Sequence, residues 1–138
     1  MDQVTIQGIK ANDHRILSRV ITRIENDDYV HDQGFIELYD QAQKAIRLGI
    51  TGPPGAGKST ITNELIKRFL NKNQTIGVIA IDPSSPFSGG ALLGDRVRMN
   101  HYDNDKSVFI RSMGTHGSLG GLARKTQEAG DILSLIHI

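Results

Sequence analysis

Gly52–Ser59, GPPGAGKS, fits the pattern G-x-x-x-x-G-K-[ST] and carries the most specific chemistry in the chain. A triphosphate has to be held without burying uncompensated negative charge, and backbone N–H groups can do this if the chain turns them inward. Gly52, Gly55 and Gly57 can take backbone angles closed to residues with a Cβ, so the loop, Ala56 included, can wrap phosphates with its amides. The helix pattern KSTITNELIKRFL follows, and its N-terminus adds unpaired N–H donors and a partial positive charge. In this arrangement Lys58 reaches the β- and γ-phosphates and neutralises charge during hydrolysis, Ser59 ligates Mg²⁺, and Thr60 adds an α-phosphate contact. The competing account is a glycine-rich turn beside a surface lysine. It does not explain why a strand pattern, AIRLGIT, precedes the loop and a helix pattern follows it.

Asp82 closes the apolar run TIGVIAI, so it falls at the carboxyl edge of a parallel strand, where open α/β sheets bind ligands. A carboxylate there can hold Mg²⁺ directly or through water; the alternative is that Asp82-Pro83 only starts a turn. The stretch PSSPFSGGALLGDRVRM that follows is long and punctuated by glycine, and it carries Asp95 beside Arg96 and Arg98. Such a loop can order around a γ-phosphate and Mg²⁺ and relax on hydrolysis, or it can be an ordinary solvated loop. A third glycine-rich stretch, Gly114–Leu122, joins the strand SVFIRSM to the helix GGLARKTQEAGDIL. A tight turn explains those glycines as well as a nucleotide contact does.

These residues need a scaffold. From Ala45 onward the order is strand, phosphate loop, helix, strand, loop, strand, loop, helix, which predicts a parallel α/β sheet with flanking helices over residues 45–138. The helix after the phosphate loop is expected to bury Ile61, Leu65, Phe69 and Leu70, and the unbroken TIGVIAI suits a strand covered on both faces. Residues 1–44 read as a separate helical segment. In ANDHRILSRVITRIEND, Ile16, Leu17, Val20, Ile21 and Ile24 recur at helical spacing with Asn12 or Asp13 as cap, and HDQGFIELYDQAQ forms a weaker helix through Phe35, Ile36, Leu38 and Tyr39. Packing against the sheet domain accounts for these stripes more simply than a partner groove does.

With 138 residues and 38% hydrophobic content the chain can build one core, yet it is short for a complete nucleotide-switch domain. A net charge of +1 without a Lys/Arg cluster argues against nucleic acid as partner. The absence of cysteine removes disulfides and thiolate metal sites, and no histidine pair has metal-ligand spacing. Without an N-terminal apolar region or a run of spanning length, a cytoplasmic location with no membrane contact is expected.

GPPGAGKSTITNELI, IAIDPSSPFSGGALLGDRVRM and IRSMGTHGSLGGLARKTQEA together resemble successive blocks of the MeaB/ArgK family of P-loop GTPases, the methylmalonyl-CoA mutase-associated G proteins. The resemblance covers about residues 10–134, and the block beginning at Asp82 is its most specific part. It implies a GTP-hydrolysing chaperone that gates loading and protection of the adenosylcobalamin cofactor of an acyl-CoA mutase. It also implies GTP and GDP as ligands, Mg²⁺ held through Ser59, Asp82 and Asp95, and a homodimer at full length. Gly114 and His116 stand where the family pattern has alanine and arginine. The family's E-T-x-G-x-G-Q switch, N-K-x-D base-reading motif and helical dimerisation region do not occur, so the chain reads as an N-terminal fragment without turnover of its own. The residues themselves do not separate guanine from adenine. A regulatory module that binds nucleotide without significant hydrolysis, and an ATP-dependent metabolite kinase or transport-associated ATPase, are the alternatives; the acceptor pocket and lid of a kinase are not visible.

Overall fold

Two aspartates each begin a helix in the first unit of the chain. Residues 2–28, 33–34, 45–82, 100–102, 104–114 and 119–134 are described by a computed structural model. Its elements are α1 (Gln3–Lys10), α2 (His14–Glu25), α3 (Lys58–Leu70), β1 (Ile76–Asp82), β2 (Val108–Gly114) and α4 (Leu119–Ser134), with one 3-10 turn at Asn100–Tyr102. The chain divides into Met1–Ala45 with Thr115–Ile138, and Ile46–Gly114.

In the first unit, Asp2 accepts the Thr5 amide at 2.8 Å and so caps α1. Bonds from Thr5 also hold the Asp2 carboxyl below its ordinary value. Asp13 is the cap of α2, accepting from the amides of Arg15 at 2.9 Å and Ile16 at 3.2 Å. The sequence marks no helix over residues 3–10, where Val4, Thr5, Ile6 and Gly8 all lower helix propensity. Tertiary packing makes one: Ile9 is fully buried, and a Cβ on Gly8 would lie 2.0 Å from Ile16 Cδ1. Gly8 is thus the point of close approach between α1 and α2.

The stripe on α2 buries Leu17, Val20, Ile21 and Ile24, as its spacing predicts. Its cover is helical, since α2 packs on α1 and on α4, whose Ala129, Ile132 and Leu133 are buried. Each fully buried Leu or Ile contributes about 1.5–3 kcal/mol relative to exposure. Lys125 on α4 reaches the carboxyl end of α2, donating to the Glu25 carbonyl and pairing with Asp27 Oδ2 at 3.1 Å. A cation at that end satisfies a terminal carbonyl and opposes the helix dipole. Lys125→Met is therefore expected to lower unfolding stability by about 0.5–1.5 kcal/mol, discounted because the pair is partly exposed. Denaturant titration checks this, and an unchanged midpoint would count against the clamp. Of the expected helix HDQGFIELYDQAQ, only residues 33–34 are described, both helical; Phe35, Ile36, Leu38 and Tyr39 lie outside the described residues.

In the second unit β1 and β2 pair in parallel, Ile76 opposite Val108 through Asp82 opposite Gly114. A parallel connection needs a crossover of a dozen or more residues, and residues 83–107 supply it. The α/β class with a parallel sheet is the one the element order predicts. Three details differ. The expected strand AIRLGIT forms no ladder: residues 45–52 carry no strand pairing, and Ile46, Leu48 and Ile50 are 89%, 59% and 40% exposed. A strand exists only with a hydrogen-bonded neighbour, and none lies alongside this segment among the described residues. On α3 the buried residue is Ile66, whereas Ile61 is 54% exposed and Leu65, Phe69 and Leu70 are half-buried. At 3.6 residues per turn Ile61 and Ile66 stand roughly 140° apart, so the inward centre of a broad apolar arc falls near Ile66 and Ile61 lies at its rim. Finally, β1 is half-buried rather than enclosed on both faces, with Ile81 at 43% exposure.

Candidate functional site

The phosphate loop owes its shape to glycine at two positions above all. Gly55 has φ 76° and Gly57 has φ 84°, the left-handed region that a Cβ disfavours. Nothing within 4 Å would meet a Cβ at either position, so backbone angle and not space requires the glycine. Gly57 is the N-cap of α3 and makes no side-chain cap bond. The first intrahelical bond there runs from the Ile61 amide to the Gly57 carbonyl at 3.0 Å. At that helix N-terminus the dipole is positive and no acidic residue sits in the first turn. That combination suits an anion.

Lys58 folds back over the loop. Its ammonium donates to the carbonyls of Gly52 and Pro53, each at 2.8 Å. Two of its three donors thereby strap the loop to the helix and fix the position of the positive charge; the third is left for an incoming oxygen. The loop itself tightens through the Ala56 amide on the Pro53 carbonyl at 3.3 Å. Gly52–Gly57 and Thr60 are exposed and Lys58 and Ser59 half-buried, so the surface is reachable from solvent. The structure thus brings Gly52, Gly55, Ala56, Gly57, Lys58, Ser59 and Thr60 onto one loop and helix end. The two carbonyls that hold Lys58 leave no trace in residue types and were not foreseeable from them.

Asp82 is the last residue of β1 and stands opposite Gly114, the last of β2, so both strands present their carboxyl ends at one edge. Asp95 lies outside the described residues, as do Arg96, Arg98 and His116. Among the described residues no cluster of three His, Asp or Glu side chains could hold a metal ion. Serine hydroxyl and aspartate carboxylate oxygens are donors of the kind Mg²⁺ takes, since it keeps several waters and binds one or two carboxylates.

Residues 17–136 match the family described as methylmalonyl Co-A mutase-associated GTPase MeaB. A Pyrococcus abyssi protein named as a candidate GTPase is 51% identical over 128 residues, covering 93% of this chain and 40% of its own. GTPase ArgK of Escherichia coli is 34% identical over 128 residues, 90% of this chain and 39% of its own. The fused isobutyryl-CoA mutase of Cupriavidus metallidurans is 47% identical over 116 residues, 80% of this chain and 10% of its own. The chain therefore spans about 40% of the length of the first two of these relatives. With the match running through the phosphate loop, both strands and the final helix, this chain belongs to the MeaB family of methylmalonyl-CoA mutase-associated GTPases.

Proposed function

We propose that this chain is the phosphate-binding part of a GTPase that serves as chaperone to an adenosylcobalamin-dependent acyl-CoA mutase, gating the loading and protection of that cofactor. The observation that carries the reading is the Lys58 ammonium strapped across a glycine-shaped loop at the N-terminus of α3. Family membership supports GTP as the nucleotide. A relative named as a fused isobutyryl-CoA mutase supports an acyl-CoA mutase as the partner.

In this proposal the loop amides and Lys58 hold the β- and γ-phosphates in line for attack by water on the γ-phosphorus. Their fixed positive charge opposes the charge that develops on the phosphoryl oxygens. Mg²⁺, held by Ser59, Asp82 and Asp95, would when bound supply further charge neutralisation at the same oxygens. Residues 1–44 would form a helical segment ahead of a nucleotide domain that begins at residue 45, and the whole protein would be a cytoplasmic homodimer. Among the described residues no helix is long and apolar enough to cross a membrane.

The test is GTP and ATP hydrolysis by the full-length protein with and without an acyl-CoA mutase. Selective GTP turnover that responds to the mutase is expected, and equal ATP turnover indifferent to it would sink the reading. The metal role has its own check. Asp82→Asn and Asp95→Asn should each leave the fold intact and reduce the gain in nucleotide affinity that Mg²⁺ gives, and Ser59→Ala should do the same. An Asp82 that only starts a turn would tolerate Asn, a residue equally at home there. Affinity measured with Mg²⁺ and with EDTA separates the two, and a wild-type Mg²⁺ response in all three variants would exclude the assignment.

A further inference from the structure

The phosphate loop contains a turn that its own residues set. The Ala56 amide donates at 3.3 Å to the carbonyl of Pro53, three residues back, and so closes a four-residue turn. Pro54 and Gly55 hold its two central positions. The pyrrolidine ring fixes φ of Pro54 at about −65°, and Gly55 has φ 76°. A hydrogen-bonded turn with negative φ at its second residue and positive φ at its third is of type II, which favours proline and then glycine at those places. Residue types and backbone angle agree.

The carbonyl that closes the turn carries a second bond. The Lys58 ammonium donates to it at 2.8 Å, and to the Gly52 carbonyl at 2.8 Å. The Pro53 carbonyl is thus shared between the turn and the lysine, so the angles of Pro54 and Gly55 decide where that acceptor stands and with it where the positive charge is held. Gly52–Gly57 are exposed, so the turn rests on these backbone preferences and on its hydrogen bonds rather than on burial in a core. Pro53 and Pro54 have no N–H and offer a phosphate no backbone donor.

We propose that Pro54 is a positioning residue for phosphate binding. With neither charge nor N–H to give a phosphate, it acts by holding the loop in the turn that seats Lys58 before nucleotide binds. The proposal rests on the reading of this loop as a nucleotide site. A backbone freed at residue 54 samples conformations in which the Pro53 carbonyl and Lys58 part. Only the competent fraction then binds, and affinity falls by that fraction.

The experiment compares Pro54→Ala and Pro54→Gly with the wild type in the full-length protein, by calorimetric titration with a non-hydrolysable GTP analogue and by amide hydrogen exchange. Pro54→Ala should lower analogue affinity about two- to fivefold. Pro54→Gly, with a freer backbone, should lose about two- to fivefold more. Without the analogue the Ala56 amide should lose protection in the same order while α3, β1 and β2 keep theirs, and at saturating analogue its protection should return to the wild-type value. Equal losses in the two variants would assign the effect to a contact of the proline ring and overturn the proposal. So would wild-type affinity in both, or a loss of protection spread over β1 and β2. A wild-type protein that binds no analogue fails the nucleotide reading itself and takes the proposal with it, whereas wild-type binding with indifferent variants overturns the proposal alone.

Discussion

Lys58→Ala is expected to weaken triphosphate affinity by roughly tenfold to a thousandfold or more, the loss of one or two charge-assisted hydrogen bonds of about 1.5–3 kcal/mol each. The structure adds a second source of loss. The ammonium also bonds the carbonyls of Gly52 and Pro53, so its removal frees the loop as well as the phosphate. Lys58→Arg helps to separate the two. A guanidinium keeps the charge but is a planar fork in place of a point charge, and it cannot meet two carbonyls and a phosphate from one atom. Arg should therefore recover little of the affinity. Titration with a non-hydrolysable analogue measures this, and an unchanged dissociation constant in Lys58→Ala would refute the phosphate site.

The second large effect comes from the segment that forms no ladder. Ile46, Leu48 and Ile50 are exposed at alternate positions in a segment that forms no strand ladder. An exposed apolar row that lies in no ladder is a template for another chain. The 138-residue chain is expected to self-associate as its concentration rises. Ile46→Lys with Leu48→Lys should shift sedimentation toward monomer while leaving exchange protection in α2 and α4 unchanged. A wild-type chain that stays monomeric at high concentration and melts sharply would overturn this expectation.

Where local pattern decides structure, the sequence was a good guide. The α2 stripe, the start of α3 at Lys58 and both paired strands follow from spacing, caps and apolar runs. Where a distant neighbour decides, it was not. AIRLGIT has strand composition, but pairing belongs to two segments and only one is visible in a residue string. The helix at Gln3–Lys10 has the opposite cause: poor propensity is overridden by the seat of Ile9 and the approach at Gly8. At the candidate site, residue types pointed to the loop, Lys58 and Ser59, because phosphate binding would demand glycine angles and a cation, and the positive φ of Gly55 and Gly57 is what the structure describes of that demand. The bonds from Lys58 to the Gly52 and Pro53 carbonyls are matters of geometry that no residue type announces.

The helical unit is discontinuous in sequence, with residues 46–114 inserted between its two parts. That layout has a consequence for synthesis on the ribosome. After α2 is complete at Glu25, its covering helix begins only at Leu119, so at 5–20 residues per second the stripe waits about 5–20 s for its partner. Throughout that interval Leu17, Val20, Ile21 and Ile24 lack α4, and the Lys125 clamp on Glu25 does not yet exist. Nascent chains arrested before residue 119 should accordingly be cut by protease within α2, and chains arrested well beyond residue 134 should resist. Residues 46–114 emerge from the ribosome during this wait, so a nascent chain presents its paired-strand unit while α2 still lacks α4.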